Sequence, residues 1–371
     1  MVCLELGPLE NVAADPTITD MTITCDGRVW VDRGNGMEEH HPHFPLRSPS
    51  VVREYAVRLC AQLGRRLDDA RPIADASDER GVRVHAVIAP LVPQGASVSI
   101  RFPSRSAPTL DGLCRTGMFP EPWIGLLHGL VRNRATILIT GGTGSGKTTL
   151  MKALLNEVDA RERIVTVEEV RELDGIAPPN HVALATREAN VEGAGAVGLP
   201  DLVKATLRMR PDRIVLGECR GEEIADLLRA YNSGHRGGMT TLHADGVERI
   251  PARLVSLGML AGLNPGAVAM LTEGAFDVVM HLDRSGGRRH IAQLGLLRGP
   301  GGNTSGNGPP IGPGNANGLS GIASGGIPAN GISGVTLAVW DGYGRPFLSP
   351  HWQGFVERWA APGNTGNAGN P

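Results

Sequence analysis

Hydrophobic and polar positions along the chain follow two different rhythms. From residue 18 onward Met21, Ile23 and Cys25 fall on one side and Thr22 and Thr24 on the other. Asp26-Gly27 then supplies a two-residue turn and Arg28-Val29-Trp30-Val31 returns, which predicts a β-hairpin. Val52, Tyr55, Ala56 and Leu59 recur at i, i+3, i+4 and i+7, the spacing of an amphipathic helix. Val82, Val84, Ala86 and Ile88 alternate again, as do Val98, Ile100 and Phe102. Residues 1–118 therefore read as a small α+β domain.

Residues 109–123, with Pro108, Pro120 and Pro122 in and around them, read as a linker. Beyond it short apolar runs alternate with helical patterns. Ile137-Leu138-Ile139 predicts a strand, and Met151, Leu154, Leu155 and Val158 mark the helix after it. Residues 164–167 and Ile214-Val215-Leu216 predict further strands, the latter followed by a helix carrying Ile224, Leu227, Leu228 and Tyr231. Residues 278–282 and 290–294 read as closing strands around a Gly-Gly turn. This alternation predicts an α/β domain over residues 119–298, its parallel sheet covered on both faces. From 299 to 340 no residue is charged, and Gly, Asn, Pro and Ser dominate. Such a stretch buries too little apolar surface to offset its ordering entropy, so 299–334 is expected to be disordered. Residues 335–359 then return to the fold before a flexible Gly/Asn tail ending at 371.

Composition narrows the class. A length of 371 residues accommodates two domains at roughly 150 residues each. A formal charge of −2 lacks the basic balance by which nucleic-acid binders neutralise phosphates, so a nucleic-acid partner is not expected. Five cysteines without a C-x-x-C pair argue against a disulfide framework and a cysteine zinc site. The first residues show no secretory signal, and no run reaches ~18 apolar residues, so no transmembrane segment is predicted. The expectation is a soluble chain of a reducing, intracellular compartment, with peripheral contact to a membrane machine left open. His40-His41-Pro-His43 lies in a Pro-rich loop without a fourth ligand, which argues against a metal site there.

The chemistry concentrates in the second domain. Gly141-Gly142-Thr143-Gly144-Ser145-Gly146-Lys147-Thr148, with Thr149 next, matches G-x-x-x-x-G-K-[ST] between a predicted strand and a predicted helix. The glycines let backbone N–H groups converge on phosphates at a helix N-terminus. Lys147 is expected to reach the β/γ-phosphates of ATP, and the Thr148 hydroxyl to hold Mg²⁺. Arg213-Ile-Val-Leu-Gly-Glu218 is an apolar strand ending in a carboxylate, suited to order the Mg²⁺ shell or the attacking water. Glu168, Glu169 and Glu172 likewise stand where a strand ends, the edge at which open α/β sheets bind ligands; Glu169 and Glu172 also fit a solvated face. In the stretch from Gly234 to Ala244, two histidines and two threonines sit beside three glycines, a poor composition for a core strand. His243 there reads either as a satisfied polar residue or as a catalytic one.

Taken in order, the phosphate loop GGTGSGKTT, the acidic box VEEVRE, the strand IVLGECRG and the histidine box GHRGGMTTLHA resemble the type II/type IV secretion ATPase superfamily. Within it, Thr186-Arg-Glu-Ala-Asn190, residues 205–213, 67–75 and 98–101 resemble the tight-adherence (Tad/CpaF-type) pilus ATPases. The likeness covers about residues 5–297. It implies a RecA-like P-loop ATPase domain behind the smaller N-terminal domain, and a cytoplasmic homo-hexamer working on an inner-membrane platform protein. By the same resemblance Glu168 acts on the attacking water, Glu218 is the Walker-B glutamate, and His243 senses nucleotide state. Arg208 and Arg210 fall on basic positions before that strand. The acidic box departs from the usual Glu-Asp by reading Glu168-Glu169, and Arg236 replaces a common Asp. Alternation turns Arg101 away from the first domain's core, with Arg105 close behind. Arg101 reads either as a solvated arginine or, with Arg105, as a finger reaching the γ-phosphate of a neighbouring subunit's nucleotide. The competing class is a conjugation-type RecA-like motor acting on nucleic acid. The pilin or substrate moved and the direction of movement are not written in the sequence.

Overall fold

The computed structural model describes residues 4–34, 36–43, 46–78, 80–103, 107–187, 189, 194–285, 287–299 and 331–360. The chain divides into two compact units, Met1–Ser106 and Ala107–Pro371. In the first, α1 (Glu10–Ala13) precedes β1 (Asp20–Ile23), β2 (Val29–Asp32) and β3 (Met37–His40). Then come α2 (Pro49–Gln62), β4 (Ile73–Ser77), β5 (Arg83–Ile88) and β6 (Ala96–Arg101). Their antiparallel sheet runs β3-β2-β1-β6-β5-β4. The predicted hairpin is β1–β2, with Met21 and Ile23 fully buried and Gly27 at φ +86 in the turn. Ser48 caps α2 by accepting from the Val51 N–H, and Val52, Tyr55, Ala56 and Leu59 seal one sheet face.

The second unit opens with α3 (Leu110–Arg115) and α4 (Ile124–Arg132). Then strand and helix alternate: β7 (Ile137–Gly141), α5 (Lys147–Leu155), β8 (Ile164–Glu168), β9 (His181–Ala185), α6 (Leu199–Thr206), β10 (Arg213–Leu216), α7 (Glu223–Asn232) and β11 (Met239–Leu242). There follow α8 (Ile250–Leu260), α9 (Pro265–Thr272), β12 (Val278–Ser285), β13 (Arg288–Arg298), β14 (Ser333–Val339), β15 (Phe347–Leu348) and α10 (Trp352–Ala360). The sheet runs β15-β14-β13-β12-β7-β11-β10-β8-β9, parallel from β12 to β9 and antiparallel from β13 outward. Alternation along β7 sends Ile137 and Ile139 into a core with α3, α4, α5 and α10, and Leu138 into a core with α6 to α9. This is the α/β sheet, covered on both faces, that the pattern predicts.

Three segments depart from expectation. Residues 109–123, read as a linker closing the first domain at 118, belong to the second unit, which starts at Ala107: α3 forms, and Leu110, Leu113, Met118, Phe119 and Trp123 are buried in that unit's core. Their prolines sit where a helix or 3₁₀ turn starts, so they place elements rather than forbid them. Within the histidine box, Met239–Leu242 is a fully buried strand at the sheet centre. The glycines before it allow this: a Cβ on Gly238 would lie 2.3 Å from the Tyr231 ring and 2.7 Å from the Ile214 carbonyl. Finally, most of the stretch expected to be disordered, and the tail beyond 360, lie outside the described residues. Its C-terminal edge does not: Ile332 is buried, and Ser333 and Gly334 pair with Arg298 and Leu297.

Arg213 anchors the edge of the sheet where its parallel strands begin. Its side chain has no exposed surface. It donates from Nε (2.8 Å) and Nη2 (3.0 Å) to Glu162, from Nη2 to the Val131 carbonyl (2.8 Å) and from Nη1 to the Gly237 carbonyl (3.3 Å). At the same end of the unit α10 lies against α4 so closely that a Cβ on Gly129 would be 2.0 Å from the Trp359 carbonyl oxygen. Asn133 Nδ2 donates to that same oxygen at 3.0 Å. Gly129→Ala must therefore displace backbone, and a loss of about 1–3 kcal/mol in urea unfolding is expected. Gly125→Ala, in the same helix with nothing within 4 Å of its Cβ, is the control that should cost nothing.

Candidate nucleotide site

Strand β7 ends at Gly141 (φ +145), and the chain turns through Gly144 (φ +73) and Gly146 (φ +98) into α5. These angles are ones that side chains rarely adopt, which is why the loop is written in glycine. At Gly141 a Cβ would also lie 2.3 Å from the Leu282 carbonyl oxygen, so the neighbouring strand leaves no room for one. Lys147 begins α5 and folds back, donating from Nζ to the carbonyls of Gly141 and Gly142, each at 2.8 Å. Ser145 Oγ donates to the Gly142 carbonyl (2.9 Å). Thr143 is exposed, and Thr148 and Thr149 are half-buried. Burial holds the Lys147 amine below its usual range, against the pull of Glu218 and Glu172.

Three parallel strands bring their ends to this loop. Glu168 closes β8 and is buried, its side chain against Gly217: a Cβ there would lie 2.9 Å from Glu168 Cγ. Its carboxyl accepts from the N–H groups of Glu172 (2.9 Å) and Leu173 (3.1 Å). Burial nevertheless pushes its pKa up to about 7, with the Glu172 and Asp174 charges adding to the rise. Glu218 follows β10. Burial would raise it as well, but Arg220, His243 and Lys147 together hold it below the usual carboxylate value. Arg220 spans two acids, donating from Nη2 to Glu218 Oε2 (2.8 Å) and from Nη1 to Glu169 Oε2 (3.2 Å). His243, just past β11, places Nε2 2.9 Å from Glu218 Oε1. That approach is close enough for an ion pair when the ring is protonated, yet out of line for a hydrogen bond, so Oε1 stays buried without a donor. Burial and the nearby Lys147 keep the ring's own pKa low.

The edge thus carries two carboxyls whose surroundings drive them apart, one prone to hold a proton near neutrality and one kept ionised. Beside them Thr148 Oγ1 donates to Glu172 Oε2 at 2.9 Å. A hydroxyl on the first helical turn and an ionised carboxylate with a buried oxygen lacking a donor form an oxygen donor set that suits Mg²⁺. Lys147, Thr148, Glu168, Glu218 and His243 of the expected residues therefore meet at one place. Arg208 and Arg210 do not: both are exposed in the turn before β10, at the opposite edge of the sheet. Arg101 lies on the first unit's sheet, donating from Nε to Asp20 Oδ1 at 2.9 Å; Arg105 lies outside the described residues. Sequence reasoning gave no role to Arg220 or Gly217. The trace was present in both cases, a basic residue two places after the strand-ending acid and a glycine where a strand meets that acid.

The family description "Type II/IV secretion system protein" matches residues 4–286. A Mycobacterium tuberculosis protein named for conjugal transfer is 42% identical over 301 residues, 79% of this chain and 84% of that protein. Type IV secretion system protein VirB11 of Brucella suis is 31% identical over 328 residues, 79% of this chain and 89% of that protein. The Legionella pneumophila ATPase DotB shares the fold, with a TM-score of 0.53 at 22% identity, over 76% of this chain and 77% of that one.

The raised Glu168 pKa carries a stability consequence. Because the folded state holds this proton more tightly than the unfolded chain, the group favours folding below about pH 4.5 and loses that contribution as pH rises to about 7. Glu168→Gln removes the term while keeping an acceptor for the Glu172 and Leu173 N–H groups. Thermal or urea unfolding should show the variant more stable than its parent at pH 8, by an amount on the order of 3 kcal/mol at most. The difference should shrink to near zero at pH 4.5.

Proposed function

The chain belongs to the type II/IV secretion system protein family, and we propose that it is the cytoplasmic motor of a Tad-like pilus or secretion machine, working as a homo-hexamer against an inner-membrane platform protein. As a member it is a P-loop ATP hydrolase. The observation that carries the site reading is the meeting of Lys147 with a protonatable Glu168 and an ionised Glu218 at one sheet edge. Among the described residues no single helix is long and apolar enough to cross a membrane.

In this reading ATP seats its phosphates on the N–H groups of residues 141–149, and Lys147 moves its ammonium from the two loop carbonyls to the β/γ oxygens. Thr148 and Glu218 would hold Mg²⁺, which would neutralise phosphate charge when bound. Glu168 in its ionised form orients water and takes its proton as the water oxygen bonds to the γ-phosphorus and the bond to the β–γ bridging oxygen breaks. His243 reports through its approach to Glu218 whether that carboxylate is engaged. Arg101, with Arg105, supplies positive charge to the γ-phosphate held by a neighbouring subunit. The relative named for conjugal transfer favours a second reading, a motor of nucleic-acid transfer; stimulation of ATP turnover by single-stranded DNA would select it.

Lys147→Ala should nearly abolish Mg²⁺-dependent ATP hydrolysis, and turnover within about threefold of the parent would overturn the site. Glu168→Gln should keep nucleotide affinity while hydrolysis drops roughly 10²–10⁴-fold. For Arg101 the measurement is subunit mixing: Lys147→Ala and Arg101→Ala proteins, each inactive alone, should regain partial hydrolysis when combined in one ring. A fully active Arg101→Ala protein removes it from the mechanism.

A further inference from the structure

The start of β13 is fastened to the turn that leads from α3. Gly117 has φ +77, and a Cβ on it would lie 1.5 Å from the Arg288 guanidinium. The glycine lets Arg288 donate from Nε to the Gly117 carbonyl (3.2 Å) while its guanidinium lies 5.9 Å and 5.4 Å from the ring centres of Trp340 and Tyr343. Three residues on, the Ile291 N–H donates to the Met118 carbonyl (2.7 Å). Both neighbours of Arg289 are thus committed: Arg288 to Gly117 and the aromatic rings, His290 to an edge-on contact with Trp340 at 5.7 Å.

Arg289 goes elsewhere. A Cβ built on Gly146 would lie 3.5 Å from Arg289 Cδ, with Met118 Cε at 3.0 Å and Leu282 Cδ2 at 3.8 Å. The arginine stem therefore runs past the last residue of the phosphate loop. Its guanidinium makes no side-chain hydrogen bond or ion pair among the described residues. Lys147 and Arg220 beside the same loop are both partnered. A half-buried guanidinium cannot shed its charge, and its planar fork matches phosphate oxygens.

We propose that Arg289 binds the nucleotide of this same site, its guanidinium engaging the α/β end of the phosphate chain. The proposal rests on the ATPase reading above. The end is set by the loop: its backbone N–H groups cradle the α- and β-phosphates, whereas Lys147 reaches the β/γ oxygens. A contact there exists with ATP, with ADP and in the transition state alike. It contributes uniform binding, which acts on KM and leaves kcat alone.

The test uses the full chain, ADP titrated by calorimetry, and steady-state ATP hydrolysis. Arg289→Ala should weaken ADP about 10-fold or more, the scale of one charge-assisted contact, and raise KM for ATP in proportion with kcat within about threefold. Arg289→Lys should recover part of the loss, and GDP should lose as much as ADP because the contact ignores the base. Unfolding curves matching the parent for Arg289→Lys and Arg289→Gln keep the comparison clean. Wild-type ADP affinity in Arg289→Ala and Arg289→Gln overturns the proposal, as does a fall in kcat at unchanged KM, or a loss confined to adenine. A parent protein that binds no ADP at all overturns the ATPase reading itself, a different result.

Discussion

A buried arginine at one edge of the sheet governs what can happen at the other. Arg213 ties the starts of β8, β10 and β11 to the end of α4 through Glu162 and two carbonyls. Its desolvation is tolerable because its donors meet a carboxylate and backbone oxygens; taking one partner away from such a pair leaves a charge stranded in low dielectric, at a cost of roughly 3–5 kcal/mol. Parallel strands fixed in register at their starts also end in register. Val167 then lies opposite Leu216, Leu216 opposite Thr240, and Leu242 opposite Thr140, so the strands finish within a few residues of Gly141. The meeting of lysine, hydroxyl and carboxylates follows from that alignment, since the carboxylates stand at or just past strand ends and the loop after β7 carries Lys147 and Thr148 to the first turn of α5.

What the alignment creates is an electrostatically unequal pair. Glu168 is buried and Glu218 half-buried, and desolvation alone would raise the pKa of both. Arg220 stands next to only one of them, so one stays ionised while the other titrates near neutrality. Gly217 belongs to the same device: its missing side chain lets Glu168 sink to the depth at which desolvation outweighs two donated N–H bonds. A base with a pKa near working pH combines readiness to take a proton with ability to give it up. The cost is a fold that carries an unfavourable charge whenever it is ready to act.

The sequence discloses elements whose local signal and tertiary fate agree. The β1–β2 hairpin, α2, and the run from β7 through the loop into α5 could be read directly, because period, turn residues and glycine spacing all point the same way. Glu168, Glu218 and His243 were legible for the same reason, standing at strand ends beside that loop. Strand β11 was not, because its threonines and flanking glycines look like loop until the Tyr231 ring and the Ile214 carbonyl are known to press on Gly238. Helix α3 hid behind its prolines. Arg213, Arg220 and Arg289 look like ordinary surface cations in a sequence; only long-range placement separates the one sealed in the core, the one bridging two acids and the one beside Gly146. The boundary at residue 334 was misjudged because Ile332 and Ser333 share their neighbours' composition while pairing with a strand made far earlier in the chain.

The position of β7 bears on how the protein is made. The strand lies between β11 and β12, whose pairing residues follow it by about 100 and about 140 positions in the chain. At a ribosomal pace of roughly 5–20 residues per second, its flanks emerge several seconds after it does. Throughout that interval Gly141 has no Leu282 carbonyl against it and Lys147 no sheet beneath its loop. A nascent chain therefore displays the complete phosphate-binding motif long before it owns a phosphate-binding site, and neither ATP binding nor futile turnover can begin on a half-translated motor.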